Sequence, residues 1–323
     1  MSFTLAEGLN KALFDSMEAD EKVVVFGEDV GQLGGVFRIT AGLQAAFGNR
    51  RCFDTPLAES GIVGTAIGFA MHGFRPVVEI QFDGFMFPAF DQVVSHLAKL
   101  HNRTAGAVRM PVVVRIPYGG GIGAVEHHSE SPETYFAHTA GLRVVSPGTP
   151  EDAYGLLRAS IESDDPVIFL EPKRRYYEKS DGDVPTEAGD LAHAAIRVPG
   201  ETATLIAYGP TVATCMEAAR VALDEGWSLE VIDLRSLSPL DEDTLVASIE
   251  RTGRAVVVHE APGTLGMSAE VAAVLQDRAF YSLEAPVQRV TGFDIPYPAA
   301  LLEEHFLPSV DRVLDAVERS LEF

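Results

Sequence analysis

Glu59 ends the run Asp54-Thr55-Pro56-Leu57-Ala58-Glu59 and opens an apolar segment studded with Gly61, Gly64 and Gly68. A carboxylate held against so apolar a segment is expected to be partly desolvated, which favours its neutral form and eases proton exchange with a ligand. That chemistry suits a residue that handles a proton on a bound ring. The competing reading, a carboxylate favoured by the dipole at a helix N-terminus, is the commoner fate of such a glutamate. Glu28 follows the apolar run Val23-Val24-Val25-Phe26. Ligands of open α/β sheets gather at the carboxyl ends of strands, so Glu28 is either a ligand-facing acid or the cap of the next turn. The stretch Gln81-Phe82-Asp83-Gly84-Phe85-Met86-Phe87-Pro88-Ala89-Phe90-Asp91-Gln92 is unusually aromatic for a loop. Aromatic faces at a strand end can sandwich a heterocycle, although packing accounts better for most of these phenylalanines. A glycine-rich run, Gly119-Gly120-Gly121-Ile122-Gly123, leads to His127-His128. Its likeness to a phosphate loop is superficial, because no Gly-Lys-Ser/Thr follows. Imidazoles on a strand-end loop are placed for proton transfer. Metal ligation is the weaker alternative, with no cysteine or second spaced histidine set nearby, and an exposed histidine without a role is the third.

These residues need a frame. Strands are predicted over 23–26, 76–82, 111–117, 142–145 and 166–170, with helices over 60–71, 88–100 and 150–162. Continuous β-branched runs joined by helices indicate a parallel sheet covered on both faces. The stretch 174–199 is charged and rich in Gly, Asp and Pro and reads as a linker. A second α/β unit follows, with strands over 202–208, 229–234, 255–259 and 287–290 and helices over 211–225, 241–252, 268–278 and 310–323. Gly226 and Gly253 supply the stop signals of the helices they follow. The boundaries are 1–178 for the first domain, 179–198 for the linker and 199–323 for the second domain.

Composition narrows the partners. A chain of 323 residues exceeds the usual single core, and 46% hydrophobic content fits a globular protein. With 47 acidic against 25 basic residues, the net charge of −22 argues against nucleic acid or an anionic membrane as partner. It suits a basic protein partner, or simply solubility. Cys52 and Cys215 lie one in each half and make no metal or disulfide framework, which fits a reducing, cytoplasmic setting. The N-terminus opens straight into an amphipathic helix with no basic start, so neither a signal peptide nor a membrane span is expected.

Several strings taken together resemble a known family. They are Gly27-Glu28-Asp29-Val30 with Gly34-Gly35-Val36-Phe37, Asp54-Thr55-Pro56-Leu57-Ala58-Glu59, Arg75-Pro76-Val77-Val78-Glu79-Ile80-Gln81-Phe82, Phe90-Asp91-Gln92 and His128-Ser129. To these add Leu170-Glu171-Pro172-Lys173, Asp233-Leu234-Arg235 and Gly292-Phe293-Asp294-Ile295-Pro296-Tyr297-Pro298. Nearly end to end, the chain resembles the β subunit of the thiamine-diphosphate-dependent 2-oxo acid dehydrogenase decarboxylating component. The resemblance implies a transketolase-like α/β fold, a parallel-sheet pyrimidine-binding domain followed by a C-terminal transketolase domain. It implies that Glu59 hydrogen-bonds N1′ of the cofactor's aminopyrimidine and so promotes the imino form that removes the thiazolium C2 proton. By the same resemblance Phe85 packs on that ring, and Glu28, Leu57 and Gln81 also line the cofactor. His128 stands at the channel mouth and helps pass the acyl group to a lipoyl arm, while Glu28, Glu59 and Asp91 form a proton path. A structural potassium is implied at Val112, Ser160, Ile161, Ser163 and Asp165; Ser163 and Asp165 depart from the acid and amide of some relatives.

The chain lacks the Gly-Asp-Gly and later Asn with which single-chain thiamine enzymes hold magnesium and diphosphate; Asp181-Gly182-Asp183 has the wrong order. The resemblance therefore implies an α chain that supplies the metal–diphosphate half, in an assembly of two α and two β chains with β meeting β. It also implies a lipoyl acyltransferase gripped by the C-terminal region. Gln81-Phe82-Asp83-Gly84-Phe85 and Glu171-Pro172-Lys173-Arg174-Arg175-Tyr176 look closer to branched-chain than to pyruvate or acetoin enzymes. Two other classes stay open from the residues alone. One is a nucleotide-binding α/β protein, although the first strand does not lead into G-x-G-x-x-G. The other is a non-catalytic scaffold, which would tolerate joint loss of Glu59 and His128.

Overall fold

The computed structural model describes residues 2–323. In the first half the strands are β1 (Ser2–Thr4), β2 (Val23–Gly27), β3 (Cys52–Asp54), β4 (Arg75–Glu79), β5 (Val113–Tyr118), β6 (Arg143–Val145), β7 (Val167–Pro172) and β8 (Lys179–Asp181). In the second they are β9 (Ala195–Val198), β10 (Ala203–Ala207), β11 (Leu229–Asp233), β12 (Ser236–Ser238), β13 (Ala255–Pro262) and β14 (Gln288–Gly292). Every residue of β2, β5, β7, β10 and β11 is buried. Continuous burial rather than alternation means that both faces of each sheet are covered, as the β-branched runs require.

The first sheet has the order β12-β6-β7-β5-β4-β2-β3 and is parallel except for β12. The second has the order β14-β13-β10-β11-β9 and is parallel except for β9. Helix Leu5–Ala19 starts on a capping box: Thr4 Oγ1 accepts from the Glu7 N–H at 3.2 Å, and Glu7 Oε2 accepts from the Thr4 N–H at 2.7 Å. Its buried stripe, Leu5, Leu9, Ala12, Leu13 and Met17, packs on helix Pro150–Glu162. The latter begins at Thr149-Pro150, with Thr149 as N-cap and Pro150 in the first turn, where its missing N–H costs nothing.

The structure departs from the sequence expectations in several places; strands β3 and β12 and a short helix Leu43–Phe47 stand where no element was expected. Strand β4 stops at Glu79, so Gln81 and Phe82 belong to the connection and not to the sheet. The helix expected over 88–100 is three pieces: Met86–Asp91, a π-helical turn Gln92–Leu97, and Leu100–Arg103. A short strand, β1, precedes the first helix. The stretch 179–198 holds two strands: β8 pairs with β1, and β9 edges the second sheet.

The two halves share hydrogen bonds and core. Strand β12 lies in the second half of the sequence but pairs with β6 of the first sheet. One apolar cluster runs from Val114, Ile116 and Tyr118 through to Ile206, Tyr208, Leu234 and Leu237. Among the described residues, no helix is long and apolar enough to cross a membrane.

Candidate active site

Four neighbouring strands of the first sheet, β5, β4, β2 and β3, deliver the chemistry-bearing residues from their carboxyl ends. Strand β5 leads into the glycine-rich loop that carries His127 and His128, and β4 leads to Gln81, Phe82 and Phe85. Glu28 directly follows β2, and β3 leads through Pro56 to Glu59, the first residue of helix Glu59–Met71. Residues separated by up to a hundred positions are thus placed side by side along one edge of a parallel sheet, where such folds bind ligands.

Glu28 is buried, and its Oε1 has no hydrogen-bond partner. Burial, and then the charges of Glu59, Asp29 and Glu79, push its carboxyl up to about 7. Glu28 lies at the end of β2, between β4 and β3, and is buried there, while Glu59 at the start of its helix is half-buried. Glu28 also fixes its neighbour: its backbone carbonyl accepts from Gln81 Nε2 at 2.6 Å. Gln81 Nε2 donates as well to Glu79 Oε1 at 3.0 Å. Behind Gln81, Arg115 lies fully buried between two acids. It donates to Glu79 Oε2 at 2.8 Å and to Glu171 at 2.6 and 3.0 Å, while Tyr176 Oη donates to Glu171 at 2.6 Å. Burial acts to lower the arginine's pKa, but Glu171 and Glu79 hold it above its ordinary value. A bidentate guanidinium in this position sets the side chains that set Gln81.

His128 is half-buried against aromatic rings. Its centroid lies 5.0 Å from that of Phe82 and 5.5 Å from that of Phe85, and His127 stands 4.5 Å away. Burial, then His127 and Lys173, lower its pKa, so the imidazole is neutral near pH 7, with one N–H to give and one lone pair to accept. Its Nδ1 is buried without a partner. Lys173 and Asp83 form a buried ion pair beside it, and Asp83 Oδ2 accepts from the Glu130 N–H at 2.8 Å.

The glycine-rich loop does bind anions, but they are the protein's own. The Gly120 N–H donates to Glu260 Oε2 at 3.0 Å, and the Gly121 and Gly123 N–H groups donate to Glu303 at 2.8 and 2.9 Å. Gly119, Gly121 and Gly123 all have positive φ, which aims the Gly120 amide at one carboxylate and the Gly121 and Gly123 amides together at another, an anion nest. Sequence reasoning missed Glu260 and Glu303, since nothing local to either one marks it as the partner of a distant loop.

The other expected residues are placed as follows. Leu57 is exposed beside Glu59, and Asp91 is exposed with His96 Nε2 4.0 Å away. The residues expected at potassium gather at the C-terminal end of helix Pro150–Glu162. There the Ile161 and Ser163 carbonyls accept from Arg75 at 3.1 and 2.9 Å, the Val112 carbonyl accepts from Val167, and Asp165 pairs with Arg143. Carbonyls at a helix C-terminus suit a cation. Arg75 already fills that role for two of them. Among the described residues, no group of three His, Cys, Asp or Glu is placed to hold a metal ion.

Three buried polar atoms along this edge lack partners: Glu28 Oε1, Thr55 Oγ1 and His128 Nδ1. Orphaned polar atoms are rare in folded interiors. With Phe82 and Phe85 packed around His128, this edge suits a ligand with an aromatic body and a polar edge.

Comparison with known proteins bears on the fold and the family. The sequence matches the transketolase pyrimidine binding domain over residues 1–179 and the transketolase C-terminal domain over residues 192–313. It is 59% identical to the 3-methyl-2-oxobutanoate dehydrogenase subunit beta of Mycobacterium tuberculosis, over 99% of this chain and 92% of that one. It is 57% identical to the pyruvate dehydrogenase E1 component subunit beta of Leifsonia xyli, over 100% and 96%. A solved structure described as a split gene transketolase, inactive beta4 tetramer, shares the fold with a TM-score of 0.81 at 22% identity, covering 99% of this chain and 98% of that one. A transketolase-like fold, an acid-and-aromatic strand edge and relatives of this identity over full length lead to one assignment: the chain belongs to the β subunits of the 2-oxo acid dehydrogenases.

Proposed function

We propose that this chain is the β half of a cytoplasmic 2-oxo acid dehydrogenase. With an α partner and thiamine diphosphate, it decarboxylates a branched-chain 2-oxo acid and passes the acyl group to the lipoyl arm of an acyltransferase. The observation that carries the reading is the row of Glu28, Glu59, Gln81, Phe85 and His128 along four adjacent strand ends, with orphaned polar atoms at Glu28, Thr55 and His128. In this reading residues 1–178 carry the pyrimidine half of the site, and residues 199–323 serve assembly.

When bound, thiamine diphosphate supplies the electron sink for decarboxylation. Glu59 holds a proton between its carboxylate and the ring nitrogen of the pyrimidine. Phe85 and Phe82 present apolar faces to that ring and keep water from it. Glu28, protonated up to about pH 7, stores a proton one strand away from Glu59, and Asp91 continues the path outward. His128 offers its N–H to the incoming dithiolane. Magnesium and the diphosphate fall to the α chain, since this chain lacks the Gly-Asp-Gly motif. Two α and two β chains make the assembly, with β against β.

The branched-chain preference rests on the strings around Gln81 and Glu171 and on the 59% relative. A pyruvate reading has its own support in the 57% relative. Co-expression with the α chain, followed by steady-state rates on 3-methyl-2-oxobutanoate and on pyruvate, separates the two. The purified β chain alone is expected to be inactive, and decarboxylation by it would overturn the proposal.

A further inference from the structure

The loop from Gly119 to Ser129 presents His128 to the site, yet it is not held there by its own half of the molecule alone. At its far end it is tied to the first sheet, through Asp83 and the Glu130 N–H at 2.8 Å. At its near end the anchors are carboxylates from the second half. Glu303 accepts from Gly121 with one oxygen and from Gly123 with the other, at 2.8 and 2.9 Å. Tyr297 Oη also donates to Glu303 at 2.7 Å, and Arg174 pairs with Glu260 at 2.6 Å. Glu303, Glu260 and Tyr297 are all buried. The fit is close: a Cβ at Gly120 would lie 1.8 Å from Tyr297 Oη, and one at Gly121 would lie 2.6 Å from Arg174 Cδ.

A run with four glycines in five positions has high conformational entropy and little intrinsic preference for one path. Its path is therefore set from outside, and charge-assisted bonds from a carboxylate to backbone amides are among the strongest means of setting it. The geometry points to Glu303 as a positioning residue. By fixing the Gly121 and Gly123 amides, it holds the loop so that His128 faces Phe82 and Phe85, and it thereby controls the acyl-transfer step without touching substrate or cofactor. This rests on the functional reading above, in which His128 serves acyl transfer and Glu59 serves decarboxylation. Glu59 hangs from β3, on the far side of β4 and β2 from the loop, so the two half-reactions respond differently to the clamp.

The test uses the assembled enzyme with its α chain and compares wild type with Glu303→Ala and Glu303→Gln. Hydrogen exchange is read over residues 119–129 and over β5. Decarboxylation is followed with an artificial electron acceptor, and acyl transfer with a free lipoyl domain. Loss of both accepting oxygens is expected to speed exchange of the loop about tenfold or more and to lower kcat/KM for acyl transfer by a similar factor. β5 stays protected, and decarboxylation stays within about threefold. Glu303→Gln keeps one accepting oxygen and falls between, so it carries the comparison should the alanine variant fold poorly. Unchanged acyl transfer in both variants overturns the proposal, as does an equal loss in both half-reactions, which marks a general structural role. A wild-type enzyme that cannot acylate the lipoyl domain sinks the functional reading itself. One that acylates normally, with variants that do so equally well, sinks this proposal alone.

Discussion

Glu28 and Glu59 stand past the ends of neighbouring strands, and the charge on Glu59 helps hold the proton on Glu28. Burial is the larger cause and Glu59 the second; together they push the Glu28 carboxyl up to about 7. Glu59→Gln removes the charge but keeps the shape, so Glu28 should titrate at lower pH in that variant. In the role proposed for Glu59 the same variant would lose its bond to the cofactor ring, and its decarboxylation rate should fall by about 10²-fold or more. The pH–rate profile and a thermal melt check both points. A normal rate, or a limb near pH 7 that does not move, counts against the assignment.

Glu133 gives the molecule a pH dependence of stability. It is fully buried, Tyr208 Oη donates to its Oε1, and its Oε2 has no partner. Burial pushes its carboxyl up to about 7 against the opposing bond from Tyr208, and the charge of Glu260 adds to the rise. The folded value therefore exceeds the ordinary 4.5 of an unfolded chain. Between those two values the folded protein keeps a proton that the unfolded chain has released. Stability therefore falls as pH rises from about 4.5 to about 7 and levels off above. Glu133→Gln should flatten this slope in urea melts at pH 5 to 8. Asp83 and Asp233, both pushed up to about 6 mainly by burial, preserve part of it. An unchanged slope would remove Glu133 from the account.

Arg115 pairs with both Glu79 and Glu171 in the interior. Arg115→Met leaves two buried acids facing each other and should cost about 3–5 kcal/mol. Replacing all three by Met, Gln and Gln should recover much of that loss, because the uncompensated charge goes with them. Denaturant midpoints of the two variants decide it. Equal destabilisation in both would mean that packing, not charge, sets the cost.

Gly120→Ala tests the crowding under Tyr297. The added methyl has no room beside Tyr297 Oη, so either the tyrosine or the loop must move. Overpacking of this kind costs about 1–3 kcal/mol. The Tyr297 bond to Glu303 should be lost, seen as faster exchange at Gly121 and Gly123. Unchanged exchange and stability would show that the contact yields freely.

Much of the frame was legible because its signals are local. Helix Pro150–Glu162 is marked by Thr149-Pro150, and helix Glu242–Thr252 is marked by Asp241 at its start and Gly253 in the left-handed region at its end. The position of Glu59 at a helix N-terminus could be read from Pro56 and the glycines that follow. Other features depend on residues that meet only on folding. Strands β1, β8 and β12 are three residues long, too short for any periodicity, and exist because a distant partner supplies their hydrogen bonds. The anion nest is of the same kind: its amides and its carboxylates lie 140 to 182 positions apart. The raised carboxyl of Glu28 was not legible for a related reason, since its burial comes from the sheet around it rather than from neighbouring residues.

Strand β12 also sets an order in time. Strand β6 emerges from the ribosome with an open edge that only residues 236–238 will close, about 90 residues later, or roughly 5–18 s of synthesis. Through that interval the first sheet is nearly complete and still presents unpaired backbone to whatever strand comes near. The β6 edge of the first sheet is therefore the last to be covered, and the second half covers it by donating three residues.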